Sequence, residues 1–137
     1  MFRGLKLANR EFEQIVDDFE FLEDWEDKYR YVIEEGKKMP VLDDSLKVES
    51  NKVNGCASQV WLHFSVSDTL YFDGDSDAVI VKGLIALLRK LYNGTPIEEI
   101  KNISAWDNLK RLGLDDHLSS QRSNGVKAMV EKINSIS

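Results

Sequence analysis

The chain of 137 residues is long enough to bury one core without staples, and its single cysteine rules out an internal disulfide. A net charge of −6 opposes the counterion-driven attraction that carries proteins to nucleic acid, and favours protein or small-molecule partners. The opening residues, Met1 to Lys6, turn at once to charge. No secretory leader or membrane span is therefore expected, and the lone thiol suits a reducing, cytoplasmic compartment.

Taken in chain order, Phe12, Ile15, Val16, Phe19 and Leu22 share one face of a 3.6-residue period and predict a helix from about Asn9 to Phe21. A second helix follows Asp24, a good N-cap, with Trp25, Tyr29, Val32 and Ile33 on one side, acidic residues in its first turn and Gly36 as its stop. Met39-Pro40 breaks the pattern, and Val41 to Ser45 reads as loop. From Leu46 the period becomes two. Leu46 to Glu49 predicts an edge strand, and Val60, Leu62, Phe64 and Val66 alternate with Trp61, His63, Ser65 and Ser67 along a second. Ser67-Asp68 reads as the turn into a third strand, Thr69 to Phe72. Ala78 to Leu88 is apolar on nearly every face and too short to span a membrane, so it predicts a buried central helix. Thr95-Pro96 reads as N-cap and first residue of a short helix through Ile100, and Trp106, Leu109 and Leu112 as another, stopped at Gly113. Val126, Met129, Val130, Ile133 and Ile136 stripe a last one. With no linker, repeat or low-complexity tract, residues 1–137 read as one α+β domain: a small antiparallel sheet of about three strands with helices on one face.

Cys56 follows the turn-prone pair Asn54-Gly55 and precedes a strand, a place where chemistry is commoner than packing. A free cysteine is also often an inert small hydrophobe, and both readings stand on residues alone. His63 on a strand and His117 in a loop would activate Cys56 as in a cysteine hydrolase only if the fold brought one of them beside it. Trp61 alternates with Val60, so it belongs to the opposite sheet face, as a packing residue, a shield for the loop or part of a docking surface.

Three runs, Asn54-Gly55-Cys56-Ala57-Ser58-Gln59-Val60-Trp61, Gly74-Asp75-Ser76-Asp77-Ala78 through Leu84, and Leu112-Gly113-Leu114 through Arg122-Ser123-Asn124-Gly125, together with the Trp25 to Gly36 helix, resemble the SufE family in order and spacing. The resemblance spans nearly the whole chain. It implies an α+β fold shared with IscU-type scaffolds, and a sulfur acceptor and activator of a pyridoxal-phosphate-dependent cysteine desulfurase (SufS-like) in iron–sulfur cluster assembly. Cys56 would receive persulfide sulfur and relay it to a cluster scaffold complex (SufB-like), the chain itself needing no cofactor or metal and acting as a monomer.

By the same resemblance Gly55, Ser58, Asp75, Asp77 and Arg122 belong to the active loop and the desulfurase-docking surface. From the residues alone, Asp75 and Asp77 read equally well as caps for the following helix, and Arg122 as an ordinary surface charge. Ala57 departs from the polar Gln or Glu usual in the family after the cysteine, which touches control of the loop and not the nucleophile. Other readings are a desulfurase-binding regulatory module that carries no sulfur and a free-standing cysteine hydrolase. A persulfide is easily lost to solvent thiols and oxidants, so Cys56 is expected to be sheltered in the free protein, with Gly55 supplying the backbone freedom to turn it outward on docking.

Overall fold

The computed structural model describes residues 3–137, with side chains from Arg10 onward. The expectation that rests on Met1 and Phe2 lies outside the described residues. Helix α1 (Arg3–Glu20) starts six residues before the expected Asn9, since Leu5, Lys6, Leu7 and Ala8 are good helix formers and only Gly4 interrupts them. Helix α2 (Trp25–Lys37) is capped by Asp24, whose carboxylate accepts the Asp27 N–H at 2.9 Å.

Gly36 is not the stop of α2. It has no left-handed backbone, lies buried inside the last turn, and the helix ends through Lys38, whose N–H meets the Glu34, Glu35 and Gly36 carbonyls. Its lack of a side chain serves a helix crossing. A Cβ at Gly36 would come within 2.8 Å of the Gly83 nitrogen, and one at Gly83 within 2.3 Å of the Val32 carbonyl oxygen.

The sheet has three strands in the order β1 (Val60–Val66), β2 (Thr69–Ser76), β3 (Thr95–Pro96), all antiparallel. The hairpin runs in register from Val60 opposite Ser76 to Val66 opposite Leu70. Its inner face buries Val60, Leu62, Leu70 and Phe72, and Trp61, as expected from alternation, points to the other face opposite Asp75.

The expected edge strand at Leu46 to Glu49 is absent. Two short 3-10 turns, Asp44–Leu46 and Glu49–Asn51, stand there. The Asp43 carboxylate accepts the Ser45 N–H at 2.9 Å and the Asn51 amide donates to the Leu46 carbonyl at 2.7 Å, so local side chains take bonds that a strand would have offered to a neighbour. In backbone pairing, a single β-bridge, Lys52 to Trp61, joins this stretch to the sheet. The third strand comes from Thr95-Pro96, which is thus not the start of an α-helix. It pairs with Thr69 and Leu70, and a 3-10 helix, Ile97–Asn102, follows. Proline sits on this outer strand, where its missing N–H costs no ladder bond.

Helix α3 (Val79–Tyr92) is the buried centre, with Leu84, Ile85, Leu87, Leu88 and Leu91 at 1% exposure or less. It packs against α1, α2 and β2. Helix α4 (Ala105–Lys110) ends before Gly113, whose φ of 75° turns the chain into a short helix the sequence reading missed, α5 (Leu114–His117). Helix α6 (Ser120–Asn134) is capped by Ser119, whose hydroxyl accepts the Arg122 N–H at 3.2 Å. No helix among the described residues is long and apolar enough to cross a membrane.

Candidate functional site

The Cys56 loop hangs between two anchors. On its N-terminal side Val53 is buried and its N–H donates to the Val60 carbonyl at 2.9 Å, while the Lys132 ammonium of α6 donates to the Ser50 and Lys52 carbonyls, each at 3.3 Å. On its C-terminal side Asp77 clamps Gln59: the Asp77 carboxylate accepts the Gln59 N–H at 3.0 Å, and the Asp77 N–H donates to the Gln59 carbonyl at 3.3 Å. This pair extends the hairpin ladder one step beyond Val60 and Ser76. Between the anchors Gly55 adopts a φ of 91°, in the left-handed region that an L side chain resists.

That turn lays Cys56 against α6. Its thiol donates to the Gly125 carbonyl with sulfur 3.7 Å from oxygen, and the residue is half-buried. Burial alone pushes the thiol above its ordinary value of 9.0, because the thiolate would lose hydration here. Beside the sulfur opens a cavity of about 280 Å³. Val81, Leu84 and Met129 give it an apolar lining, and Ser58, Ser119, Gln121 and Arg122 add polar groups. Arg122 is half-buried, lines the same cavity and, among the described residues, forms no ion pair.

The sequence-predicted residues therefore divide. Cys56, Ser58 and Arg122 share the cavity, and Gly55 and Asp77 shape the loop that borders it. Asp75 stands apart. Its carboxylate pairs with Lys47 at 2.9 Å and Lys82 at 3.6 Å and accepts the Ser76 N–H at 2.8 Å. Burial pulls its pKa upward, but Lys47, the Ser76 N–H and Lys82 together outweigh that and hold it below 3.8. Neither aspartate caps α3: the cap residue is Ala78, and the nearby hydroxyl of Ser76 accepts the Ala78 N–H at 3.2 Å. Trp61 does not line the cavity; the Lys47 ammonium lies 5.8 Å from its ring centroid.

Neither histidine reaches the thiol. His63 faces Asp73 across the hairpin, and His117 ends α5 stacked on Trp25 with centroids 3.6 Å apart, its carbonyl accepting the Tyr29 hydroxyl at 2.5 Å. The cavity thus has no imidazole in its lining, and a cysteine–histidine hydrolase arrangement is not formed. On the opposite wall sequence reasoning named Arg122 but held Gly125 only as part of a motif, with no role of its own. The signal was a glycine beside an apolar helical stripe, which often marks close backbone approach.

The comparisons agree with this architecture. A domain described as SufE, Fe-S metabolism associated domain, matches residues 13–137. A protein of Rhizobium etli named as an uncharacterized SufE-like protein is 48% identical over 136 residues, covering 96% of this chain and 92% of the relative. A second so named, from Rhizobium meliloti, is 48% identical over 128 residues, covering 90% and 91%. The solution structure of a hypothetical protein from Thermus thermophilus superposes with a TM-score of 0.73 at 19% identity, covering 92% of each chain, and supports the fold. With three ordered motifs, a matching fold and relatives this similar, the chain belongs to the SufE family, a domain family associated with Fe–S metabolism.

Proposed function

We propose that this protein is a sulfur acceptor and activator partner of a cysteine desulfurase, receiving persulfide sulfur on Cys56 and relaying it to a cluster scaffold. The observation that carries the reading is the loop itself: a lone thiol, anchored on both sides, bordering an open cavity that also holds an arginine. Once deprotonated, the Cys56 thiolate attacks the outer sulfur of the partner's cysteine persulfide. A new S–S bond forms on Cys56, the old one breaks, and the partner's thiolate leaves and takes up a proton, so no oxidant is consumed. Arg122 steadies negative charge on the sulfurs during that exchange. The pyridoxal phosphate that makes the persulfide belongs to the desulfurase.

In this reading the protein acts in the cytoplasm as a monomer that docks onto the desulfurase through the loop face, with Gly55, Ser58, Asp77 and Arg122 at the contact and Asp75 holding the adjoining Lys47 segment in place. The test is the intact mass of the protein after incubation with catalytic desulfurase and free cysteine, beside Cys56→Ser. A gain of sulfur on the wild type, absent from the variant and reversed by reductant, is the expected result. Desulfurase stimulation that survives Cys56→Ser, with no sulfur gained by the wild type, would replace the acceptor by a binding module that carries no sulfur.

A further inference from the structure

The two edges of the sheet are finished differently. Strand β3 pairs only with Thr69 and Leu70, so the Phe72 main chain on that side has no strand beside it, and side chains close the gap. Asn93 Oδ1 accepts the Phe72 N–H at 3.0 Å, while the Phe72 carbonyl accepts from Arg89 Nε at 2.9 Å and from the Asn93 amide at 3.3 Å. The other edge is β1. Gln59 bonds to Asp77 and Ser67 to Thr69 across the hairpin, so by the alternation of an antiparallel ladder Trp61, His63 and Ser65 spend their main-chain groups on β2. Val60, Leu62, Phe64 and Val66 aim theirs outward. The Val60 carbonyl meets the Val53 N–H, and the Lys52 bridge covers the edge as far as Trp61. Beyond it, among the described residues, nothing caps the outward groups of Phe64 and Val66 as Asn93 and Arg89 cap Phe72. This stretch also lacks the usual defences of a bare edge, since Phe64-Ser65-Val66 carries no charge and no proline and its register has no bulge.

We propose that the free half of β1 is a strand-pairing surface for a second copy of this chain, the two β1 strands joining antiparallel about Ser65 into one continuous sheet. Outward residues must meet each other in such a pairing, which leaves registers centred on Phe64, Ser65 or Val66. The first drives Val66 onto Leu62 of the second copy, beside the Lys52 bridge, and the last sets Phe64 opposite the turn residue Asp68. Centring on Ser65 sets Phe64 opposite Val66 twice over, each pair exchanging both of its N–H···O bonds, with an aromatic against a β-branched side chain on one face and serine against serine on the other. The edge is thus complementary to itself. The patch is small beside the roughly 1,200 Å² that stable complexes bury, so the pair is a weak one, dissolved by dilution into the single chain that docks in the sulfur-transfer reading. The Cys56 loop joins the opposite end of β1, about 20 Å from Val66 by strand rise, so the pairing does not depend on the role of Cys56.

The experiment is sedimentation velocity on the full chain from micromolar to millimolar concentration, for the wild type and Ser65→Lys, with thermal unfolding measured on each. Ser65 is exposed, so the fold should tolerate the change, while two ammonium groups would face each other across the twofold axis. The expected result is a reversible dimer in the wild type and, in the variant, a midpoint concentration raised roughly fivefold with unchanged unfolding. Position is checked by oxidation of the Cys56→Ser protein carrying either Ser65→Cys or Tyr71→Cys. Ser65 thiols would sit within disulfide reach at a Cα separation of about 4.5 Å, whereas Tyr71, one strand further in, would be about 14 Å from its counterpart. A covalent dimer through position 65 and not through 71 is expected. A wild type that stays monomeric throughout overturns the proposal, as does a dimer indifferent to Ser65→Lys. Amide protection at Phe64 and Val66 that arises only on adding a desulfurase would likewise overturn it, by giving the edge to a strand of another protein.

Discussion

Replacing Gly83 by alanine sets two effects of opposite sign against each other. By helix propensity alone the change stabilises α3 by about 1 kcal/mol. The structure places the added methyl 2.3 Å from the Val32 carbonyl oxygen and 2.6 Å from its Cγ1, with Gly36 packed against Gly83 from the same side. Relief needs the backbone of α2 to back away by about 1 Å, which a core packed to crystal-like density does not permit without opening voids elsewhere. Overpacking usually costs about 1–3 kcal/mol, and backbone gives less than a side chain, so the top of that range less the propensity gain leaves an expected net loss of about 2 kcal/mol. For a chain of this size that lowers the melting temperature by roughly 7 °C. Scanning calorimetry reads this directly, with Gly125→Ala as comparison, since a methyl there meets the Cys56 side chain at an ordinary contact distance and no backbone. A Gly83→Ala protein that melts at or above the wild type would refute the crossing as described.

Two further perturbations probe the surroundings of the site. Asp77→Ala removes the carboxylate that holds Gln59, a bond worth about 1 kcal/mol at an exposed position, so amide exchange at Gln59 and alkylation of Cys56 should each quicken about fivefold while the melting temperature moves by only a few degrees; unchanged exchange at Gln59 would show that the clamp does not hold the loop. Asp75 has a folded pKa held below 3.8, so it contributes stability that is fully present above that value and lost as the pH falls through the folded pKa. Asp75→Asn should accordingly lower stability at pH 7 by about 1 kcal/mol and flatten its dependence on pH below about 4, in denaturant titrations at several pH values; a variant whose acid-side slope matches the wild type would remove the Lys47 and Lys82 pairing from the account.

What could be read from the sequence depended on whether local chemistry or distant packing decides. The central helix was legible because its apolar residues run on every face, a pattern that only burial explains. The hairpin was legible because its alternation is long and its turn is polar. Leu46 to Glu49 alternates too, but over four residues, and Asp43 and Asn51 offer the backbone nearby partners that win. Strand β3 is two residues long, and its pairing depends on where α3 delivers the chain, information no local window holds. Gly36 shows the same limit in one letter, since a helix stop and a helix crossing both ask for glycine. Cys56 stood out as a lone thiol after Asn-Gly, and the quoted motifs already contained Arg122 and Gly125. What the motifs did not say is that α6, 69 residues away in sequence, supplies the carbonyl on which the thiol rests.

The anchors also bound what the loop can do. With Val53 and Gln59 fixed, only residues 54–58 are free to swing, and a segment that goes out and returns over six Cα steps, at about 3.3–3.6 Å each, carries its tip no more than about 10 Å from its base. If Cys56 accepts sulfur as proposed, it cannot fetch it from deep within another protein by an arm; on that reading the partner would bring its persulfide close to this surface and dock on the face around the loop. This geometry gives the Asp77 clamp two opposed effects. Releasing Gln59 frees the strand-side anchor and lengthens the reach, which favours acceptance, yet it also gives the loop more conformations to lose when it docks, which costs affinity. Asp77→Ala should thus raise the rate of alkylation by a small reagent, which needs only exposure, more than it raises the rate of sulfur acceptance, which needs exposure and an ordered approach. A variant that gained equally in both would mean that docking does not order the loop, and that the short tether sets reach alone.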